Sequence, residues 1–251
     1  MKALNPDFTT DWAWEEWGKR DPYFGVITQS KFRRNEMTAD AKRDFFESGV
    51  LHVQLVMATI HRQIDPEFKP KRVLDFGCGV GRILVPLARL ADDAVGLDVS
   101  PSMLLEAQRN CHEEGVDNVT LARSDDDLTG LSGTFDFIHS FIVFQHIPVE
   151  RGRTIFSNLL RRLNHGGIGA IQLTYSKTRF ADTHGIDPNG GASTLALGPP
   201  RRVDADPEIQ MNSYNLNSIL FSMQEHQVTK FFCDFTDHGG ELGVYLFFQK
   251  P

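Results

Sequence analysis

The chain is short of positive charge. Its 26 Lys and Arg stand against 33 Asp and Glu, a formal net charge of −7. Broad contact with a phosphate backbone rests on clustered cations. The small clusters here are Lys31-Phe32-Arg33-Arg34 and Arg201-Arg202, so no nucleic-acid partner is expected. Cysteine is scarce too. Cys78, Cys111 and Cys233 are odd in number and widely spaced, which argues against a disulfide framework and for a reducing compartment. No Cys–His spacing resembles a zinc site. Long hydrophobic runs are missing: no segment reaches the roughly 18 apolar residues of a bilayer span. The opening Met-Lys-Ala-Leu-Asn-Pro-Asp leads into no signal-peptide core. A cytoplasmic protein with no membrane partner is expected. Repeats and low-complexity tracts are also wanting.

What is present is a globular composition, with 41% hydrophobic residues in 251. Residues 1–66 read as a cap segment followed by a helix, and residues 67–251 as the main domain. The first part carries Trp12, Trp14, Trp17, Tyr23 and Phe24, a helical or aromatic cap without regular periodicity. From Thr38, a suitable N-cap, apolar residues recur at helical spacing to Ile64, interrupted by Gly49 at some cost.

Strands and helices then alternate. Strands are expected at 73–76, 94–98, 119–122, 135–141 and 168–174. Helices are expected at 82–90, 101–114 and 148–163, with Ser100 capping and Pro101 opening the second. This alternation predicts an α/β fold, a doubly wound and mostly parallel sheet of seven strands. Residues 176–212 are rich in Gly, Pro, Asp and Asn and read as a lid inserted after strand five. A helix at 215–225 and an antiparallel hairpin at 228–249 close the chain.

The run Val73-Leu-Asp-Phe-Gly-Cys-Gly-Val-Gly-Arg82 puts Gly77, Gly79 and Gly81 at the end of a buried strand. Glycine is costly to order, so three in five residues imply that something approaches the backbone closely. Doubly wound folds bind nucleotide-like cofactors at such a turn. Asp98, ending strand two, is placed to accept from a ribose diol.

Together with Gly96-Leu-Asp-Val-Ser-Pro-Ser-Met103, Leu121-Ala-Arg-Ser-Asp-Asp126, Phe135-Asp-Phe-Ile-His-Ser140 and Leu163-Asn-His-Gly-Gly167, this run resembles the class I S-adenosylmethionine-dependent methyltransferases. The resemblance covers roughly residues 68–175 and 213–251. It implies a Rossmann-like fold with S-adenosyl-L-methionine as cofactor and S-adenosyl-L-homocysteine as product. It further implies that Gly77, Cys78, Gly79 and Gly81 approach the methionine part and that Asp75 holds its amino group. Asp98 takes the ribose hydroxyls, and Val99 and Met103 pack on adenine. Asp125, or its neighbour Asp126, accepts from the adenine amino group. Ser140 and Phe141 lie beside the sulfonium.

Methyl transfer from a sulfonium needs mainly in-line alignment, and a hydroxyl acceptor benefits from a general base. His146, after strand four, is the candidate base; His184 and His238 are weaker ones, and His139 is expected to be packed. Trp17 and Tyr23 are candidates to touch the acceptor. Removing residues 1–30 is expected to abolish turnover while sparing cofactor affinity. Asp125-Asp-Asp is poor metal-ligand geometry, and no metal is expected. A small-molecule hydroxyl, in a secondary metabolite or a sugar, is the expected acceptor. The alternatives are a non-catalytic cofactor- or partner-binding domain and, less favoured by the G-x-G-x-G spacing and final hairpin, a nicotinamide-dependent dehydrogenase. Oligomeric state is left open.

Overall fold

Strands β1 (Arg72–Phe76), β2 (Asp93–Asp98), β3 (Val119–Arg123), β4 (Phe135–Ser140), β5 (Leu163–Lys177), β6 (Lys230–Asp237) and β7 (Glu241–Gln249) form one sheet in the order β3-β2-β1-β4-β5-β7-β6. This is seen in a computed structural model, which describes residues 9–178 and 206–251. Pairs among β1 to β5 are parallel, and β7 runs antiparallel to both β5 and β6. The chain builds outward from β1 to β3, then returns to β4 on β1's other side. That reversal leaves a crevice beyond the carboxyl ends of β1 and β4, the usual ligand position in such sheets.

Both sheet faces are covered. One core joins Val73, Phe137, Ile168 and Phe247 to Phe45, Val53 and Ile60 of α3 (Ala39–Gln63). The other joins Leu74, Ile138, Ile171 and Phe248 to Ile155 and Leu159 of α6 (Val149–Arg162) and Ile219 of α7 (Leu216–Glu225). Near-continuous apolar strands such as Val73-Leu74 and Ile168–Leu173 follow from burial on both sides.

The N-terminal part is more regular than its sequence suggests. It forms α1 (Thr10–Arg20), α2 (Pro22–Val26) and a single 3-10 turn, Ser30–Phe32. The Thr9 hydroxyl accepts from Trp12 N and caps α1. Trp17, Phe24 and Phe32 enter the same core as α3 and the sheet, so the cap and the main domain share one interior.

Two elements differ most from expectation. The helix after the glycine turn is only α4 (Leu84–Ala88). Pro86 has no N–H to donate within it, and Leu90 N turns back to Leu87 O, three residues away. Strand β5 begins at Leu163 rather than Ile168. The His165-Gly166-Gly167 stretch is tied to the last strand's end by Gly166 N donating to Lys250 O and Lys250 N donating to Gly167 O. Helix α5 (Pro101–Glu113) starts as expected, with the Ser100 hydroxyl accepting from Met103 N.

Gly49, costly inside α3, has a packing reason. A Cβ there would lie 2.0 Å from Arg82 O. Its absence lets α3 close onto the turn that follows β1.

Candidate functional site

The crevice holds a cavity of about 330 Å³, at the small end of the roughly 300–1,000 Å³ usual for small-molecule sites. Its floor is the turn after β1 and the ends of β2 and β4. Its roof comes from α1, α2 and Ile209 and Met211 of the described part of the insertion.

Gly77, Gly79 and Gly81 have φ of +77°, +52° and +89°, a region glycine enters freely. A Cβ at Gly77 would come within 2.3 Å of Val143, and one at Gly79 within 3.0 Å of Val26. So the close approach inferred from the sequence is partly the chain's own: the loop after β4 and helix α2 press on the turn. At Gly81 a Cβ would meet Ala107 at an ordinary 3.6 Å. Gly81 serves backbone direction only, and it does not line the cavity.

Asp98 borders the cavity. One carboxylate oxygen accepts from Gly79 N and the other from Ser100 N, each at 2.9 Å. Each oxygen keeps acceptor capacity for a diol. Burial pushes the Asp98 pKa up to about 6, against these lowering hydrogen bonds. Cys78, Val99 and Met103 line the same end. Burial, then the Asp98 and Asp75 charges, holds the Cys78 thiol well above its ordinary pKa.

Asp75 also faces the cavity, but it has a partner that sequence reading did not foresee. His139 Nδ1 lies 2.8 Å from Asp75 Oδ1, and both side chains are buried. His139 Nε2 is 3.0 Å from His52 Nε2 of α3, and Tyr245 Oη is 3.4 Å from the latter. His139 Nδ1–H donates to the carboxylate, and the two Nε2 atoms share one proton between them. Burial, with the His139 and Arg82 charges, lowers the His52 pKa to about 2. The His52 imidazole therefore stays neutral.

His146 sits in the 3-10 turn Phe144–His146 and is buried at the cavity wall. Its Nδ1 donates to Gln210 O at 2.9 Å, which fixes Nε2 as the acceptor, 3.3 Å from Gln145 Nε2. Burial lowers its pKa to about 4. Trp14 packs edge-on at 5.0 Å between ring centroids. Just before this turn, Ile142 has φ +57°, a strained value for a β-branched residue.

Trp17 and Tyr23 do not reach the cavity. Trp17 is buried against Phe24, and Tyr23 Oη lies 2.8 Å from both Glu106 Oε1 and Asn110 Oδ1 of α5. They dock the cap, and the cavity tryptophan is Trp14, one helical turn earlier. Ser140 is buried and does not line the cavity, while Phe141 does. Asp125 is exposed at the rim and spends both oxygens on Thr129, accepting from its N and its hydroxyl. Asp126 accepts from Arg151, which also grips Asp11 of α1. These acidic neighbours thus point apart. His238 meets Phe141 edge-on at 6.0 Å. His184 lies outside the described residues.

Residues 73–167 match a family model described as a methyltransferase domain. They contain the glycine turn, Asp98 and His146. This part of the chain is thus similar to the S-adenosylmethionine-dependent methyltransferases in sequence, and the whole sheet is similar to theirs in fold. Among curated relatives, the 23S rRNA (uracil(1939)-C(5))-methyltransferase of Burkholderia pseudomallei is 35% identical over 117 residues, 44% of this chain and 23% of that protein. The magnesium-protoporphyrin O-methyltransferase of Synechocystis is 33% identical over 140 residues, 55% of this chain and 60% of that protein. The chain thus spans less than two thirds of either relative. Among solved structures, the Synechocystis magnesium protoporphyrin IX methyltransferase with bound S-adenosylmethionine has a TM-score of 0.60 at 17% identity, covering 98% of this chain and 100% of that one. The Bradyrhizobium japonicum N-methyltransferase crystallised with S-adenosylhomocysteine has a TM-score of 0.56 at 13% identity, covering 95% and 99%. Likeness at this identity concerns the fold. Among the described residues, no helix is long and apolar enough to cross a membrane.

Proposed function

We propose that this methyltransferase-family protein transfers a methyl group from S-adenosylmethionine to a hydroxyl oxygen of a small organic acceptor, in a secondary metabolite or sugar. One observation carries the reading. A glycine turn and the Asp98 carboxylate share a single cavity with a neutral, tautomer-fixed histidine, His146. An acceptor admitted to that cavity must be small or present a slender end.

The cofactor supplies a methyl group already activated by positive sulfur. The chain's own residues do the rest. Asp98 accepts from the ribose hydroxyls, Asp75 faces the amino group, and Val99 and Met103 flank the adenine. Trp14, Phe141, Ile209 and Met211 wall the acceptor and exclude water. His146 Nε2 accepts a hydrogen bond from the acceptor hydroxyl once Gln145 yields. A base with a pKa of about 4 suffices, because the oxygen becomes strongly acidic as its new bond to carbon forms. Alignment of such reactants is worth about 7–11 kcal/mol.

The acidic chain and the small cavity volume, about 330 Å³, support a small acceptor, although curated relatives act on ribosomal RNA as well as on a porphyrin. The test is transfer of label from methyl-tritiated S-adenosylmethionine to a panel of hydroxylated small molecules, with amines and ribosomal RNA in parallel. Label on hydroxyls supports the reading. Label on RNA or amines alone refutes the acceptor class.

A further inference from the structure

We infer that the free edge of β6 joins a second copy of this chain, the two β6 strands pairing antiparallel about a two-fold axis at Cys233 so that one sheet runs through both copies. The inference goes beyond the proposed activity and does not depend on it.

The first observation is an open edge. Strand β6 ends the sheet, with β7 on its one paired side. Asp237 stands opposite Leu242, and one step on His238 N donates to Glu241 O. Hydrogen-bonded pairs alternate along an antiparallel ladder. The even-numbered residues of β6 therefore bond to β7, and Phe231, Cys233 and Phe235 turn their N–H and C=O groups outward. Among the described residues, no backbone hydrogen bond joins these three to another segment. Monomeric proteins blunt such edges with bulges, proline or short strands. Here β6 runs eight residues, Lys230–Asp237, without proline and in unbroken register with β7.

The second observation is what those outward-bonding residues carry. Their register partners on β7 are Phe248, Leu246 and Val244, all in the α6–α7 core. Phe231, Cys233 and Phe235 continue that apolar face to the rim of the sheet, where Phe231 is 47% and Phe235 73% exposed. Single exposed apolar residues are ordinary. A row of them on an unpaired strand is a strand-pairing surface.

The third observation is that the row is complementary to itself. A two-fold axis normal to the sheet keeps each face on its own side and pairs outward-bonding residues with one another. Centred on Cys233, it sets Phe231 against the partner's Phe235, Cys233 against the partner's Cys233, and Phe235 against the partner's Phe231. On the other face Lys230 lies diagonal to the partner's Asp234, within reach of a long side chain. Moving the axis to Asp234 sets that carboxylate against the partner's Asp234, a destabilising like-charge pair. Moving it to Phe232 carries Phe235 past the partner strand, opposite the partner's Thr229. The pattern thus favours a second copy over an unrelated strand, and the Cys233 register over its neighbours. The parallel strands of the two copies then point opposite ways, so each cavity opens at its own end of the joint sheet.

Sedimentation velocity of the full chain over a wide range of concentration, with thiol cross-linking in parallel, tests the pairing. Wild type should form a dimer. Phe235→Lys changes an exposed side chain, and Cys233→Pro removes an outward N–H, which an edge strand tolerates. Each should weaken the dimer by at least about tenfold and leave melting temperature and S-adenosylhomocysteine affinity nearly unchanged. A short bis-methanethiosulfonate should link two wild-type chains through Cys233, since Cys78 and Cys111 are buried, and Cys233→Ser should abolish the link. The reaction is run at mildly alkaline pH, because burial raises the Cys233 thiol pKa. A wild-type monomer at every concentration overturns the inference, as it would if the chain's own insertion covered the edge. A dimer that Phe235→Lys leaves intact, or that does not link through Cys233, overturns it as well. The wild-type cross-link decides the matter even should a variant fail to fold.

Discussion

Acid should weaken cofactor binding, and Asp98 sets where. Its carboxylate is held half-buried at the end of β2, and burial lifts its pKa to about 6. Ribose hydroxyls donating to it favour the charged form, so the bound-state pKa is lower than the free-state one. The sign follows: affinity is nearly constant above pH 7 and falls as pH drops through 6. Linkage gives a loss of about tenfold in affinity between pH 7 and pH 5, or roughly 1.4 kcal/mol. His146, with a pKa of about 4, and His52, at about 2, do not titrate in that window. Calorimetry with S-adenosylhomocysteine at pH 5, 6, 7 and 8 reads the profile, and Asp98→Asn should flatten it at uniformly lower affinity. A flat wild-type profile, or tighter binding in acid, would refute the ribose role of Asp98.

Other perturbations separate the cavity from its supports. Gly77→Ala forces a side chain into positive φ and onto Val143; a loss of at least about 1–3 kcal/mol should appear as a lower melting temperature, and unchanged stability would contradict the packing described. Trp17→Ala should destabilise by about 3 kcal/mol as a cap residue, whereas Trp14→Ala should spare most stability and reduce turnover; the reverse pattern in melting curves and label transfer would exchange their roles. Arg151→Ala breaks the link between Asp11 and Asp126 across the cavity. Because these groups are partly exposed, stability should fall by no more than about 1 kcal/mol, while S-adenosylhomocysteine dissociates several-fold faster in stopped-flow. Removing residues 1–30 should cost cofactor affinity as well as turnover, because Thr10, Asp11, Gly25, Val26 and Thr28 wall the cavity; a truncated protein with intact affinity would show the cap to be separable after all.

The parallel sheet was legible because its signals are local. Apolar runs, glycine turns and caps such as Ser100 each act within a few residues. The start of β5 was harder, since beginning at Leu163 depends on pairing with Phe135 and on ties to Lys250, far away in sequence. In the site, Asp98 and the glycines could be placed from a strand-end pattern alone. The choice between Trp14 and Trp17 could not. The two are three residues apart in α1, and only the docking of that helix on α5, through Glu15 accepting from Ser100 and Ser102, decides which one faces inward. The His52–His139–Asp75 chain was hidden for the same reason, because α3, β4 and β1 meet only in three dimensions. Gly49 was the one available signal: a glycine inside a long helix invites the question of what comes close to it.

The central claim is tested most directly by thermal unfolding with S-adenosylhomocysteine and, in parallel, with NAD. At about 100 times its dissociation constant a ligand stabilises by roughly 2.7 kcal/mol, which for a chain of this size is a rise of about 5–11 °C. The account predicts that rise with S-adenosylhomocysteine, its loss in Asp98→Ala, and none with NAD. A rise with NAD alone, or none with S-adenosylhomocysteine, would contradict it.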